Sequence, residues 1–506
     1  MASKRNRRKT ITTTIILALA LVILIYFLSR VWAFTVDDTY ITLRYARNVV
    51  GGEGLTFNPG ESPVEGYTTF LWMLFLTLPH LLGLPPVLFS KVVGLLCTLG
   101  TLIIVYRLVN YVPSLGRGAF FGMGGALAVL FLCANPATAV HAVSGMETAL
   151  FNLLLAACVL YAARWHTGRA TGDGIILSLL TLLLGLTRPE GNLIGVVVLG
   201  SLLWASSPAD RKRLFVTIAG WYVLPGVIYF AWRTWYFGLL FPLPFYVKVS
   251  AASYFNGLIA TWRYVRDALL PLSIPLLIGL WRNPGGMLPG VLGSLALILF
   301  FIFPRHMMGY EWRYVFPASV VASALAGIGI LRLLEGGDTK NRGRLVLAGM
   351  LVLVAVGGLL LTSPQIIHEK QEYARGIVGA HELIGKRLAV TREQVSNRTL
   401  ATGDVGAVAY YSDWKVIDLQ GLNDPHLARA AGFDPDYVMA QHPEVIILIS
   451  MDSTKFLPRF RADESLFETA AKQGFERVSS ARFADKYYLW VTTSRNSPLK
   501  EMLRFP

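Results

Sequence analysis

Long apolar runs separated by short polar breaks fill the first 362 residues of the chain. Runs near 11–33, 87–109, 119–134, 149–164, 173–187, 191–206, 214–236, 267–281, 287–303, 314–333 and 345–362 approach the ~20 apolar residues that an α-helix needs to cross a bilayer. They predict about eleven transmembrane helices. Residues 68–83 are also apolar, but the stretch is short and bracketed by Glu65 and Pro85. The basic clusters at 164–169, 211–213 and 340–344 decide how to read it. If it does not cross, all three clusters fall on the side of the N-terminus, as the positive-inside rule wants; if it crosses, all three move outside. Residues 68–83 are therefore expected as a helix lying in the outer interface, with Trp72 and His80 as its polar handles. The N-terminus, with Lys4, Arg5, Arg7, Arg8 and Lys9 before the first run, reads as cytoplasmic and uncleaved, and the C-terminus as extracytoplasmic.

From residue 363 the pattern changes. A helix is expected over 369–387, and short runs with strand character follow at 400–402, 416–419, 445–449 and 487–491. The expected organisation is an all-α membrane domain over 1–362 and a soluble, extracytoplasmic α/β domain over 363–506. No GxGxxG or P-loop pattern and no internal repeat is present.

Composition agrees with a membrane chain: 54% of residues are hydrophobic and 15% charged. The formal charge of +15 does not point to nucleic acid, because the Lys and Arg residues cluster between apolar runs as in cytoplasmic loops. Cys97, Cys133 and Cys158 all lie inside apolar runs, so no disulfide framework is expected.

Against this background the stretch 36–72 stands out as the most polar long segment of the first 360 residues. The span count puts it on the outer side together with 144–151, 187–191, 237–264 and 304–314. Charges at span ends are costly unless paired, solvated or functional, so the five segments are expected to rim one cavity. Asp37 and Asp38 precede a helical pattern in which Tyr40, Arg44 and Arg47 share a face. One aspartate suffices as the helix N-cap. A second, facing a cavity, suits a base that takes the proton of an attacking hydroxyl. Neighbouring residues point apart, so the two are expected to differ in role. Glu65 and Tyr67 are contact candidates in an otherwise turn-forming loop. Arg188, beside Glu190, together with Lys248 and with Arg313 after Glu311, offers cations suited to phosphate oxygens. Glu147 could hold an acceptor hydroxyl or a cation. Asp37, Asp38 and Glu147 could ligate Mg²⁺ or Ca²⁺ through oxygen, but no essential ion or other cofactor is expected. In the last domain Asp404, Asp418, Asn423, Asp424 and His426 read first as turn and cap residues and second as acceptor contacts.

The motifs DDTYITLRYARN, GLTFNPGESPVEGYTTFLW, SGMETALF, LTRPEG, PLPFYVK and ATGDVGAVAYYSDWKVIDLQGLNDPH together resemble a bacterial group of GT-C glycosyltransferases. The likeness is strongest to the group that includes the terminal arabinofuranosyltransferases of mycobacterial cell-wall arabinan. It implies a multi-spanning enzyme of the bacterial plasma membrane that takes a sugar, such as arabinofuranose, from a polyprenyl-phosphate donor. The sugar would pass to a hydroxyl of a cell-envelope glycan or glycolipid, with inversion. It also implies that one of Asp37 and Asp38, preferably Asp38, is the base. Arg188, Lys248 and Arg313 would face the departing phosphate, although the segment 304–314 matches no position of the family. The residue reading adds Tyr40, Arg44, Glu65, Tyr67, Glu147, Glu190 and Glu311 as substrate contacts. A transporter or flippase for a lipid-linked anion is the alternative, weakened by the lack of repeats and of charges deep in the spans.

Overall fold

The computed structural model describes residues 2–111, 120, 122–250, 257–282, 286–304, 306, 308–335, 342–430 and 432–505. Each of the expected apolar runs contains a helix among the described residues. By length and composition seven helices among the described residues suffice to cross a membrane, including Thr10–Val31, Pro86–Tyr111, Thr148–Gly168 and Ala318–Glu335. An eighth crossing is available if the pair Met123–Ala134 and Pro136–Val143, bent by 70°, acts as one. The bend has a local cause. Pro136 has no N–H and pushes the residue before it out of helical geometry, while the Asn135 side chain accepts from the Ala137 N–H at 3.0 Å and starts the helix afresh. Phe70–Leu81, Thr171–Thr187, Glu190–Trp204 and Leu288–Phe300 are apolar but shorter.

Helices pack through small residues. A Cβ on Gly329 would lie 1.8 Å from the Pro275 carbonyl oxygen, so Ala318–Glu335 and Ser273–Arg282 touch backbone to backbone. Large apolar side chains such as Ile15, Val22, Ile25, Trp235 and Trp281 remain exposed on the outside of the bundle, as a lipid-facing belt requires. The chain is a multi-pass membrane protein.

The expected surface helix is Phe70–Leu81, but its Trp72 is not an interfacial handle. The indole is buried and donates to the Gly145 carbonyl at 2.9 Å, tying the helix to the loop after Val143.

Beyond the last apolar run the chain continues as helix through Ser363–Gly376 and Leu383–Val390, then forms a five-stranded sheet. Its strands are β1 (Thr399–Thr402), β2 (Lys415–Asp418), β3 (Val445–Ser450), β4 (Phe475–Phe483) and β5 (Tyr487–Ser494), in the order β2-β1-β3-β5-β4. β1 pairs in parallel with β2 and β3, and β5 runs antiparallel to both β3 and β4. β4 matches none of the expected strand runs. Its sequence FERVSSARF has few of the β-branched and aromatic residues that mark a strand, and its register shifts between Arg477 and Ser479.

The sheet does not stand apart from the bundle. The helix Asp37–Val50 packs against the short helix Ala407–Ser412. Arg44, fully buried, donates to the carbonyls of Phe57 at 2.7 Å, Ala409 at 2.5 Å and Trp414 at 2.8 Å. One guanidinium thus clamps three chain segments.

Candidate active site

The two aspartates at the start of Asp37–Val50 have different fates. Asp37 is buried and uses both carboxylate oxygens, accepting from the Gly406 N–H at 2.9 Å and the Ala407 N–H at 2.8 Å. It therefore closes the N-terminus of Ala407–Ser412, while its own helix is capped by Val36 without a side-chain bond. The expectation that an aspartate caps its own helix is corrected. Asp37 already occupies the first helical position, and from there its side chain reaches the neighbouring helix. Burial raises the Asp37 pKa, with the charge of His381 opposing.

Asp38 keeps 28% of its side chain exposed and lies 3.9 Å from Arg313. It lines two cavities at once, sharing both with Ile41, Met308 and Leu422. The smaller, about 80 Å³, adds Thr42, Tyr67, Thr69, Met146, Pro244 and Arg313. Four of the five outer segments expected to meet there do so; residues 187–191 line neither cavity. The larger, about 360 Å³, opens between Asp38 and the sheet.

Arg313 is buried beneath the small cavity. Its Nη2 lies 3.4 Å from Glu147 Oε1, and its Nε and Nη1 have no hydrogen-bond partner among the described residues. Burial lowers its pKa, but Tyr314, Glu147, Tyr310 and Asp38 outweigh that and raise it. The guanidinium thus stays charged and holds unfilled donors.

The structure does not bring Arg188 to the cavity. Its Nη2 sits 2.5 Å from Glu190 and its Nη1 3.4 Å from Glu147 and 3.3 Å from the Arg313 carbonyl. At 3% exposure its charge is spent on two carboxylates, so it positions Arg313 and Glu147. Glu311 has a similar part. It pairs with Lys370 at 2.8 Å, and its carbonyl lies 3.1 Å from His141 Nε2. Met308, Glu311 and Trp312 have φ of 49°, 38° and 56°, a left-handed backbone that costs about 1–3 kcal/mol per non-glycine residue. The two contacts pin Glu311 within this segment, which carries Arg313.

Tyr40 and Arg44 are also turned away from the cavities. Tyr40 donates to Glu382 at 3.1 Å, and Arg44 is the clamp described above; both bind the helix Asp37–Val50 to the C-terminal segment. Glu65 forms a buried ion pair with Arg233. Tyr67 does line the small cavity, and its hydroxyl has no partner among the described residues. The Lys248 side chain lies outside the described residues.

The polar cluster of the last segment divides cleanly. Asp424 caps Pro425–Arg429, Asp418 accepts from the Gln420 and Asn423 N–H groups, and His426 pairs with Asp434. Asp404 alone lines the large cavity. Its Oδ2 meets His381 Nε2 at 2.9 Å and accepts from Tyr487 at 2.6 Å. Burial raises its pKa, but those two hydrogen bonds prevail and hold it below the usual carboxylate range. His381, Tyr373, Arg459, Lys486 and Tyr487, which join Asp404 there, carry no motif. The available signal was the position of Asp404, directly after the carboxyl end of a parallel strand. Among the described residues no group of three or more His, Cys, Asp or Glu side chains is placed to hold a metal ion.

Residues 361–495 match a family model described as a domain of unknown function, DUF8728. In sequence the chain is 31% identical over 362 residues to a terminal beta-(1->2)-arabinofuranosyltransferase of Mycobacterium tuberculosis, covering 68% of this chain and 55% of that protein. A protein of the same description from Corynebacterium glutamicum is 26% identical over 306 residues, covering 55% of this chain and 42% of that one. The chain thus spans about half the length of the curated relatives it matches. Among solved structures, ArnT from Cupriavidus metallidurans bound to undecaprenyl phosphate aligns with a TM-score of 0.60 at 14% identity, over 97% of this chain and 99% of that one. The archaeal oligosaccharyltransferase AglB from Archaeoglobus fulgidus, in complex with an inhibitory peptide and a dolichol-phosphate, aligns with a TM-score of 0.53 at 10% identity, over 87% and 69%. ArnT and AglB are both GT-C glycosyltransferases. The chain has the GT-C fold and resembles the terminal arabinofuranosyltransferases in sequence.

Proposed function

We propose that this chain is a GT-C glycosyltransferase that moves a sugar, arabinofuranose by its sequence likeness, from a polyprenyl-phosphate donor to a glycan or glycolipid hydroxyl outside the cytoplasmic membrane. The observation that carries the reading is the position of Asp38 at the junction of two cavities, with Arg313 on one side. In this scheme the donor phosphate lies in the small cavity and the acceptor enters through the large one.

The acceptor oxygen bonds to the anomeric carbon from the face opposite the phosphate, so configuration inverts. Its proton passes to the Asp38 carboxylate. The electrons of the breaking carbon–oxygen bond leave with the lipid phosphate, and the charge that grows there faces the unfilled Nε and Nη1 donors of Arg313. Such donors, already in place before reaction, are often the largest single contribution to a rate. The scheme draws this stabilisation from Arg313 and calls on no metal ion.

Asparagine at each aspartate in turn, with transfer assayed from a defined polyprenyl-phosphate sugar in detergent, tests the assignment. Asp38→Asn is expected to lower kcat by about 100-fold or more, in the range of a lost general base. An Asp38→Asn enzyme that turns over like the parent would remove the proposed base. Passage of intact donor across vesicles without bond cleavage would favour a transporter.

A further inference from the structure

The large cavity sits outside the carboxyl ends of three parallel strands. Gly403, Asp404 and Val405 follow β1, Gln420 and Leu422 follow β2, and Ile449 lies in β3. From β1 the chain goes to β2 on one side and then to β3 on the other. The end of β1 is therefore a switch point, where open α/β sheets hold their ligands.

Two cations also line this cavity, Arg459 and Lys486. Neither belongs to a salt bridge among the described residues. Each is steadied by rings: Arg459 lies 4.9 Å from the Tyr487 centroid and 5.4 Å from that of Phe460, and Lys486 lies 5.7 Å from that of Tyr373. Contact with a ring face orients a cation without neutralising it. The three carboxylates that line the cavity are engaged elsewhere: Asp37 by the Gly406 and Ala407 N–H groups, Asp404 by His381 and Tyr487 with Arg459 adding a longer-range attraction, and Asp38 by Arg313. Two oriented positive heads beside a ligand-sized space suit an anion on the ligand.

We propose that the large cavity is an acceptor subsite for a glycan that carries an anionic group, phosphate or carboxylate, held by Arg459 and Lys486 while a hydroxyl reaches Asp38. This rests on the glycosyltransferase reading above. The recognition would be strongest at low salt, since both cations reach solvent.

The test is direct binding to the full chain in detergent, with a fluorescent oligoglucuronate and an uncharged oligoglucose of the same length as probes. The parent is expected to bind the charged probe about tenfold or more tightly over the neutral one, and Asp38→Asn to keep that preference. Arg459→Ala with Lys486→Ala should abolish it, whereas the charge-preserving pair Arg459→Lys with Lys486→Arg should retain it. A parent without preference, or a double alanine variant that still prefers the charged probe, overturns the proposal. Undecaprenyl phosphate forms a second arm: equal affinity for parent and double alanine variant is expected, and a matching loss there would assign the cations to the donor phosphate instead. Because the readout involves no transfer, the subsite can fail while transfer by the same preparation leaves the glycosyltransferase reading standing.

Discussion

At the scale of single residues, Asp37 and Asp38 carry the same chemistry and unequal surroundings. The Asp37 oxygens serve two buried backbone N–H groups, so Asp37→Ala would strand both donors at about 1–3 kcal/mol. A clear fall in Tm is expected for that variant, against an unchanged Tm for Asp38→Asn; equal Tm values would mean that Asp37 is not the structural member of the pair. The sequence alone names the pair without dividing it, because the partner that occupies Asp37 lies 369 residues away. Asp463 gives a second residue-scale test. Burial pushes its pKa up to about 7, and its Oδ2 has no partner. The folded state therefore holds a proton that the unfolded state releases near the ordinary carboxylate pKa. Stability falls as pH rises from about 4 to about 7 and levels off above. Asp463→Asn removes that loss, so its gain in Tm should be larger at pH 8 than at pH 5, by a few degrees. A gain independent of pH would place the ionisation elsewhere.

Between elements, the decisive joint is the contact of Asp37–Val50 with Ala407–Ser412. A Cβ on Gly406 would fall 2.0 Å from the Asp37 carbonyl oxygen and 2.6 Å from its Cγ, so even alanine must push the two helices apart. Gly406→Ala is expected to lower kcat at least tenfold by moving Asp38, although residue 406 lines neither cavity. Parent-like kcat would show that Asp38 does not depend on this joint. The shared face of Tyr40, Arg44 and Arg47 was legible from helical spacing, yet what it faces was not. All three reach the C-terminal segment, through Glu382, Ala409 and Tyr410. Helical runs were easy to read because burial in lipid demands continuous apolar sequence. The strained backbone at Glu311 and Trp312 was hidden, since its cause is the pinning of that carbonyl and side chain by His141 and Lys370 from distant helices.

For the molecule as a whole, the donor and acceptor it can meet depend on which side of the membrane holds Asp38. The reading that puts it outside comes from the placement of basic clusters, and one of them, Arg211, Lys212 and Arg213, is exposed. Asn496, just after β5, is likewise exposed. The three native thiols Cys97, Cys133 and Cys158 are buried, so the parent should react little with a membrane-impermeant maleimide. In right-side-out vesicles, Asn496→Cys is expected to label at once and Lys212→Cys only after the membrane is opened. The reverse pattern would turn the enzyme over and put both cavities in the cytoplasm. The donor would then present its phosphate there and the acceptor would be a cytoplasmic precursor, while Phe70–Leu81 would still not be a span: a crossing between Asp38 and Lys212 would part the helix Asp37–Val50 from the sheet domain, whose Gly406 and Ala407 N–H groups hold Asp37.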